Sequence, residues 1–177
     1  MTVTEEMFNL YGKPVHKEEY HIRELRKDAY GISAGTIDFS LSDTDVLFLR
    51  LTLRNRGGEI LGQNTYWHNR KEYQNYKALR SIPKTRLSVK KLGYESVKSR
   101  QDEKEMIRIK LEIQNGEYPA LNTRIRLMNE IQEDVLPVFF SDNYLLLMPH
   151  EARQISAEYV QQSSAVSYII TAWNSEE

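Results

Sequence analysis

Acidic side chains come first among the residues that could do chemistry, because two carboxyl groups held close together can supply an acid and a base or nucleophile. The acidic residues of this chain occur mostly in runs beside lysine or arginine: Glu5-Glu6, Glu18-Glu19 and Asp102-Glu103. Charged runs of this kind are typical of a solvated face. The sequence therefore predicts no catalytic carboxylate pair.

The sequence offers few residues or motifs for metal, thiol or cofactor chemistry. The four histidines lack the paired spacing of a metal site on one element: His16, His21, His68 and His150. The chain has no cysteine, no serine in a GxSxG motif and no glycine-rich phosphate loop. We therefore predict no metal, no cofactor and no catalytic residue.

Asp142 and Asn143 form a short polar segment between two apolar stretches. Their hard oxygen atoms are compatible with part of a calcium site, but no further acidic ligands follow at regular spacing. Short polar side chains also bond nearby backbone groups in turns. We expect a structural corner whose side chains bond the loop backbone between Phe140 and Tyr144.

Four aromatic residues lie within eleven positions of one another: Tyr66, Trp67, Tyr73 and Tyr76. An exposed Tyr/Trp platform can stack against a sugar ring, whereas packing between two lobes is the plainer interpretation. Packing is favoured because Tyr73, Tyr76 and Leu79 recur every three residues, which predicts a helical turn ending before Pro83. Trp173 is likewise expected in a core, on the last strand.

The elements that must position these residues are strands. Ile37, Phe39 and Leu41 alternate with polar residues, and a second alternating run from Leu47 to Leu53 leads into the glycine turn of a hairpin. Pro14 to Leu25 is expected as a charged, exposed strand. The remainder of the chain predicts seven strands, at 85–95, 106–114, 119–129, 135–140, 144–148, 152–160 and 165–173. Seven short antiparallel strands indicate an immunoglobulin-like sandwich.

Composition limits the classes of partner. The chain has 177 residues, with 24 Lys and Arg against 25 Asp and Glu, so no global field attracts nucleic acid or an anionic membrane. No apolar run approaches the roughly 18 residues of a membrane span. We therefore expect neither nucleic acid nor membrane as a partner, and the sequence does not state a compartment.

Two passages carry a resemblance to a known family. VLPVFFSDNYLLLMPHEARQISAEY, residues 135–159, resembles the last immunoglobulin-like domain of the exo-β-glucosaminidases and β-mannosidases of glycoside hydrolase family 2. LFLRLTLRNRGGEILGQNTYWHN, residues 47–69, resembles the hairpin that ends the preceding immunoglobulin-like domain. The resemblance implies a non-catalytic C-terminal region that buttresses a separate (β/α)8 barrel, meets carbohydrate only indirectly, and comes from a periplasmic or secreted parent enzyme.

The resemblance also implies an all-β chain of two immunoglobulin-like sandwiches in tandem. We expect a first sandwich at 1–68, truncated at its N-terminus, a linker at 69–83 and a complete sandwich at 84–177. A truncated first lobe would leave the leucine row of 47–53 partly uncovered, so we expect self-association through that lobe. Two alternatives stay open: a carbohydrate-binding module, and a general immunoglobulin-like interaction domain.

Overall fold

The computed structural model of the chain describes residues 1–22, 31, 33–99, 104–161 and 165–176. Eleven strands are described, which we number in chain order: β1 Thr2–Asn9, β2 Pro14–His21, β3 Val46–Arg54, β4 Ile60–Asn69, β5 Leu87–Lys98, β6 Glu105–Asn115, β7 Ala120–Met128, β8 Val138–Phe140, β9 Leu145–Leu147, β10 Ala152–Val160 and β11 Ser167–Thr171. The only helical segments in the described ranges are two short 3₁₀ turns, Phe39–Leu41 and Lys77–Ser81. The prediction of an all-β chain is confirmed. None of the described helical segments is long and apolar enough to cross a membrane.

The chain divides into two compact units, Met1–Ile82 and Pro83–Glu177. The first unit contains one antiparallel sheet in the order β2-β1-β3-β4. One face of that sheet carries a small core of Met7, Leu47 and Leu49, and Val15, Ile37, Phe39 and Leu51 pack against it. The finer assignment of a truncated sandwich at 1–68 and a linker at 69–83 stays a prediction.

The predicted strand from Ile37 to Leu41 is wrong. Phe39–Leu41 forms a 3₁₀ turn, and the carboxylate of Asp38 accepts a 2.9 Å hydrogen bond from the backbone N–H of Ser40. This local capping bond competes with pairing to a neighbouring strand. Ile37 and Phe39 still pack on the core of the first unit. The alternating pattern therefore marks a segment lying across a core rather than a strand within a sheet.

The second unit contains two sheets, ordered β5-β6-β10-β8 and β11-β7-β9. Every second residue of β6 is buried: Ile109, Leu111 and Ile113 are buried, and their neighbours are more exposed. One face of the sheet that contains β6 therefore points towards the core. The shared core consists of buried residues from both sheets: Ile109, Leu111, Ile113, Ala120, Ile125, Leu127, Val135, Leu145, Leu147, Ile155, Ala157 and Tyr159. The seven strands predicted for this half are present.

The short apolar run 135–140 predicts a strand buried on both faces, placed at an edge or carrying a bulge because Pro137 has no N–H to donate. The observed segment differs from this prediction in length and burial. The observed strand β8 covers only Val138–Phe140, and the side chain of Phe139 is 56% exposed, so the strand is not buried on both faces. β8 is an edge strand that pairs with β10 alone, as the missing N–H of a proline led us to expect. After it the chain crosses to the other sheet, where β9 pairs with β7.

Two smaller predictions have mixed outcomes. The helical turn before Pro83 is present as the 3₁₀ turn Lys77–Ser81. Trp173 lies beyond the end of β11 and is 63% exposed, so its placement in a core on the last strand is wrong. Its backbone N–H donates to the carbonyl of Leu121 at 2.9 Å, which anchors the backbone while leaving the indole largely in solvent.

Candidate functional site

The corner between β8 and β9 is organised by the side-chain amide of Asn143. Its Oδ1 accepts a 3.0 Å hydrogen bond from the N–H of Ile125, and its Nδ2 donates a 3.1 Å bond to the carbonyl of the same residue. Oδ1 also accepts from the N–H of Tyr144 at 2.9 Å. The side chain thus pairs with β7 as a backbone peptide of a neighbouring strand would, and extends the short β9 edge.

Asp142 and Ser141 contribute bonds of a different kind. Oδ1 of Asp142 accepts the N–H of Asn143 at 2.9 Å, and its side chain is 53% exposed. Oγ of Ser141 accepts the N–H of Ser156 at 2.9 Å, which fixes the end of β8 to β10. Both predicted corner residues therefore have backbone partners, and Asn143 reaches further across the fold than expected.

Asn115 is a second buried amide, and sequence reasoning missed its role. It is 2% exposed and donates from Nδ2 to the carbonyls of Tyr118 and Met148, each at 2.8 Å, and of Leu147 at 3.2 Å. Its Oδ1 accepts from the hydroxyl of Thr85 at 3.0 Å. The pair Asn115-Gly116 indicated only a turn; nothing local to it signals bonds to residues 30 positions before it and 33 after it.

Glu5 contradicts the solvated-face interpretation of the acidic runs. It is 1% exposed, and its Oε2 accepts a 3.0 Å hydrogen bond from the hydroxyl of Tyr20. The same hydroxyl lies 3.0 Å from Oε2 of Glu18, so the two carboxylate oxygens are at most about 6 Å apart. Desolvation and hydrogen bonds to these carboxylates raise the pKa of Tyr20. Asp102 and Glu103, another of those runs, lie outside the described residues.

Glu5 and Glu18 lie close together, but a substrate has no access to the space between them. A sugar must lie between the two carboxyl groups of a retaining glycosidase, which stand about 5 to 5.5 Å apart. Here the hydroxyl of Tyr20 occupies the space between Glu5 and Glu18, and Glu5 is buried. Glu5 is therefore buried and Glu18 about half exposed, and the tyrosine hydroxyl between them leaves no open catalytic site.

The four aromatic candidates do not share one surface. Tyr66 pairs with Leu49 and Trp67 pairs with Phe48, so the two side chains point to opposite faces of the first sheet. Trp67 and Tyr76 are brought together, with ring centroids 6.1 Å apart and planes tilted by 42°. Tyr73 is 74% exposed. Among the four candidates, Trp67 and Tyr76 are the two with a described ring contact.

A groove of about 610 Å³ lies on the outward face of the larger sheet in the second unit. We call it the outer groove. Its lining comes from β6, β8, β10, the corner and the residue that follows β5: Ser99, Met106, Arg108, Lys110, Phe139, Phe140, Ser141, Ser156 and Glu158. Ile109 and Leu111 on the other face of β6 belong to the core. The outer groove is therefore separated from the core by the sheet itself.

Ion pairs form the centre of the outer groove. Nε of Arg108 donates to Oε1 of Glu158 at 2.9 Å, and Nη1 donates to Oε1 of Glu95 at 3.3 Å. Nζ of Lys110 lies 3.5 Å from the same oxygen of Glu95. Hydrogen bonding from Arg108, with the charge of Lys110, lowers the pKa of Glu95, and the carboxylates of Glu158 and Glu95 raise the pKa of Arg108. Arg108 and Lys110 are thus paired with carboxylates.

The described part of the chain contains no cluster of possible metal ligands. Within the described ranges, no group of three or more histidine, aspartate or glutamate side chains is placed to hold an ion. Asp142 and Asn143 instead use their side-chain oxygens on backbone N–H groups.

Comparison with known sequences identifies a family match over more than half of the chain. The sequence model described as the exo-beta-D-glucosaminidase Ig-fold domain matches residues 64–175. An exo-beta-D-glucosaminidase of Arthroderma benhamiae is 29% identical over 144 residues, covering 75% of this chain and 16% of that protein. One of Hypocrea jecorina is 26% identical over 168 residues, covering 85% of this chain and 18% of that protein.

Comparison with solved structures agrees on the fold. The crystal structure of the exo-chitosanase CsxA of Amycolatopsis orientalis superposes with a TM-score of 0.75 at 18% identity. The match covers 98% of this chain and 22% of that one. The chain thus spans less than a quarter of the length of each of these three relatives.

Proposed function

Since this chain belongs to the exo-β-D-glucosaminidase immunoglobulin-fold domain family, we propose that it is a non-catalytic accessory region of a larger glycoside hydrolase, which packs against and supports the catalytic domain. The observation that carries the proposal is the family match together with coverage of only 16% and 18% of two exo-β-D-glucosaminidases. Most of the length of each relative lies outside the matched part.

The carboxylates of the chain support a non-catalytic role. A general acid needs a raised pKa so that it is protonated near neutral pH. Glu95 has a lowered pKa through Arg108, and Glu5 is buried against Tyr20. Glu95 is therefore not prepared to protonate a glycosidic oxygen, and the buried Glu5 is not accessible to a substrate.

An activity assay tests this proposal directly. The chain should hydrolyse neither an aryl β-D-glucosaminide nor an aryl β-D-mannoside above the blank rate. A turnover that disappears in Glu158→Gln or Glu18→Gln, while the variant stays folded, would overturn the non-catalytic assignment.

The supporting role needs the parent enzyme. Deleting the segment corresponding to 1–177 should lower the melting temperature of the catalytic domain, because apolar surface that the segment covers would become exposed. A truncated parent with unchanged melting temperature and unchanged kcat/KM would contradict a supporting role. The three relatives described above are named for glucosaminide or chitosan cleavage, so the β-mannosidase alternative gains no support from them.

A carbohydrate-binding module centred on Trp67 is the second candidate. The 6.1 Å contact between Trp67 and Tyr76 favours it, but their 42° tilt prevents one flat platform for consecutive sugar rings. Trp67→Ala should abolish binding of glucosamine or mannose oligomers if this candidate is right, and a titration that is unchanged in that variant would exclude it.

Self-association through the first unit is the remaining partner proposal. β4 is an edge strand, and Ile60 and Leu61 on it are 49% and 52% exposed. An apolar strand edge is a template for pairing with another chain. Light scattering should show a dimer that Ile60→Lys dissociates, and a strict monomer at high concentration would contradict the proposal.

A further inference from the structure

We propose that the outer groove of the second unit is a binding site for a short, uncharged oligosaccharide. Its volume of about 610 Å³ falls within the range of roughly 300 to 1,000 Å³ that small-molecule sites occupy. All of its lining residues belong to one compact unit, Pro83–Glu177. This inference goes beyond the supporting role proposed above, and it can fail while that role holds.

The groove has an apolar floor. Met106 shares the outward face of β6 with Arg108, because side chains two positions apart lie on the same side of a strand. An outward residue of a solvated sheet is normally exposed, yet Met106 is 5% exposed. Met106 therefore lies at the bottom of the groove that it lines and is largely shielded from water.

An exposed aromatic ring stands beside the floor. Phe139 pairs with Glu158 across β8 and β10, and Glu158 pairs with Arg108 across β10 and β6, which aligns the three residues in one row. The ring of Phe139 is 56% exposed although it lies in a strand. A pyranose ring presents a C–H face that an aromatic ring can cover, which buries apolar area on both partners.

The rim supplies both donors and acceptors. Sugar hydroxyls donate and accept, so they need both kinds of partner, and a site without them would leave polar groups unpaired. Arg108 and Lys110 donate, and the hydroxyls of Ser141 and Ser156 do either. Both described bonds from Arg108 to Glu158 end on Oε1, which leaves Oε2 of Glu158 as an acceptor for a ligand hydroxyl.

Charge balance selects an uncharged ligand. The two cations of the outer groove, Arg108 and Lys110, are matched by the carboxylates of Glu95 and Glu158. A phosphate or other anion would compete with these carboxylates for Arg108 and Lys110. A cationic ligand would compete with Arg108 and Lys110 for the carboxylates. A polyhydroxyl ligand can use the same groups through hydrogen bonds without displacing the ion pairs.

Nuclear magnetic resonance titration of the isotope-labelled chain tests the proposal with three uncharged β-linked probes: cellotriose, β-mannotriose and N-acetylated chitotriose. At least one should shift the backbone amides of Phe139, Ser156 and Glu158 together. No shift with any probe up to about 10 mM, a concentration that detects even millimolar affinity, would overturn the proposal. Shifts centred on Trp67 instead would also overturn it.

Two variants separate the groove from general effects. Phe139→Ala should weaken binding about tenfold, the value of burying one large apolar side chain, whereas Phe139→Tyr should keep the affinity. Tyr94→Ala is the matched control, because Tyr94 is 69% exposed on the same sheet but pairs with the inward residue Ile109. Equal affinity in Phe139→Ala and Tyr94→Ala, with both variants folded, would refute the assignment. Hydrolysis of a probe would instead refute the non-catalytic role.

Discussion

Replacing Asn143 by alanine should destabilise the second unit by about 2 to 4 kcal/mol. The substitution removes both partners of Ile125, whose N–H and carbonyl are held at 3.0 and 3.1 Å, and Ile125 is only 1% exposed. Each buried backbone group left unpaired costs about 1 to 3 kcal/mol. The third bond, to the N–H of Tyr144, adds little because that residue is 57% exposed and water can replace it.

Asp142→Ala is the matched control in the same corner. Its side chain is 53% exposed, accepts one hydrogen bond from the N–H of Asn143 and forms a long 4.0 Å ion pair with Arg153, so we expect a loss of about 1 kcal/mol or less. Asn143→Asp keeps the acceptor but loses the donor and places a carboxylate against the carbonyl of Ile125. It should therefore be destabilised about as much as Asn143→Ala.

Urea unfolding measures the difference. The chain has two tryptophans, Trp67 in the first unit and Trp173 in the second, so a Trp67→Phe background leaves Trp173 as a reporter of the second unit. The midpoint should fall in Asn143→Ala with an unchanged slope. A loss within about 0.5 kcal/mol of the Asp142→Ala value would show that water satisfies Ile125 and would refute the reasoning.

Two further predictions concern buried and charged groups of the second unit. Asn115→Ala should destabilise this unit by at least about 3 kcal/mol, because it removes hydrogen-bond partners from three carbonyls and from the buried hydroxyl of Thr85. A urea midpoint equal to that of the wild type would contradict this prediction. Hydrogen bonding from Arg126 lowers the pKa of Asp134, so its contribution is present above the unfolded pKa of about 3.9 and is lost as pH falls through the folded value. Asp134→Asn should therefore lower the urea midpoint at neutral pH more than at about pH 3, and a pH-independent difference would exclude the ion pair as the cause.

Local pattern determined the strands of the second unit. Alternation at Ile107 to Ile113 predicts β6 because one face of a sheet must be apolar and the other wet, and burial follows that period. The missing N–H of Pro137 likewise predicts an edge strand, and β8 pairs on one side only. These features depend on neighbours in the chain, so the sequence contains the information.

Alternation was not sufficient in the first unit. Ile37 and Phe39 have the spacing of a strand. In the structure they pack against the core that contains Met7, and they lie in and just before a 3₁₀ turn. A segment crossing a core and a strand in a sheet both bury every second side chain. Only the presence or absence of a hydrogen-bonded neighbour separates the two, and that neighbour is remote in sequence.

The sequence by itself determined the all-β class, the seven strands of the second unit and the family resemblance. Tertiary structure alone decided which polar groups act together. Asn143 meets Ile125 across 18 positions, Asn115 meets Leu147 across 32, and Arg108 meets Glu158 across 50. In the sequence Glu5 looks like any solvated acid, but the fold buries it and gives it the hydroxyl of Tyr20 as a hydrogen-bond partner. Strand periodicity is a local property of the chain, whereas hydrogen-bond partnership and burial depend on which strands the fold brings side by side.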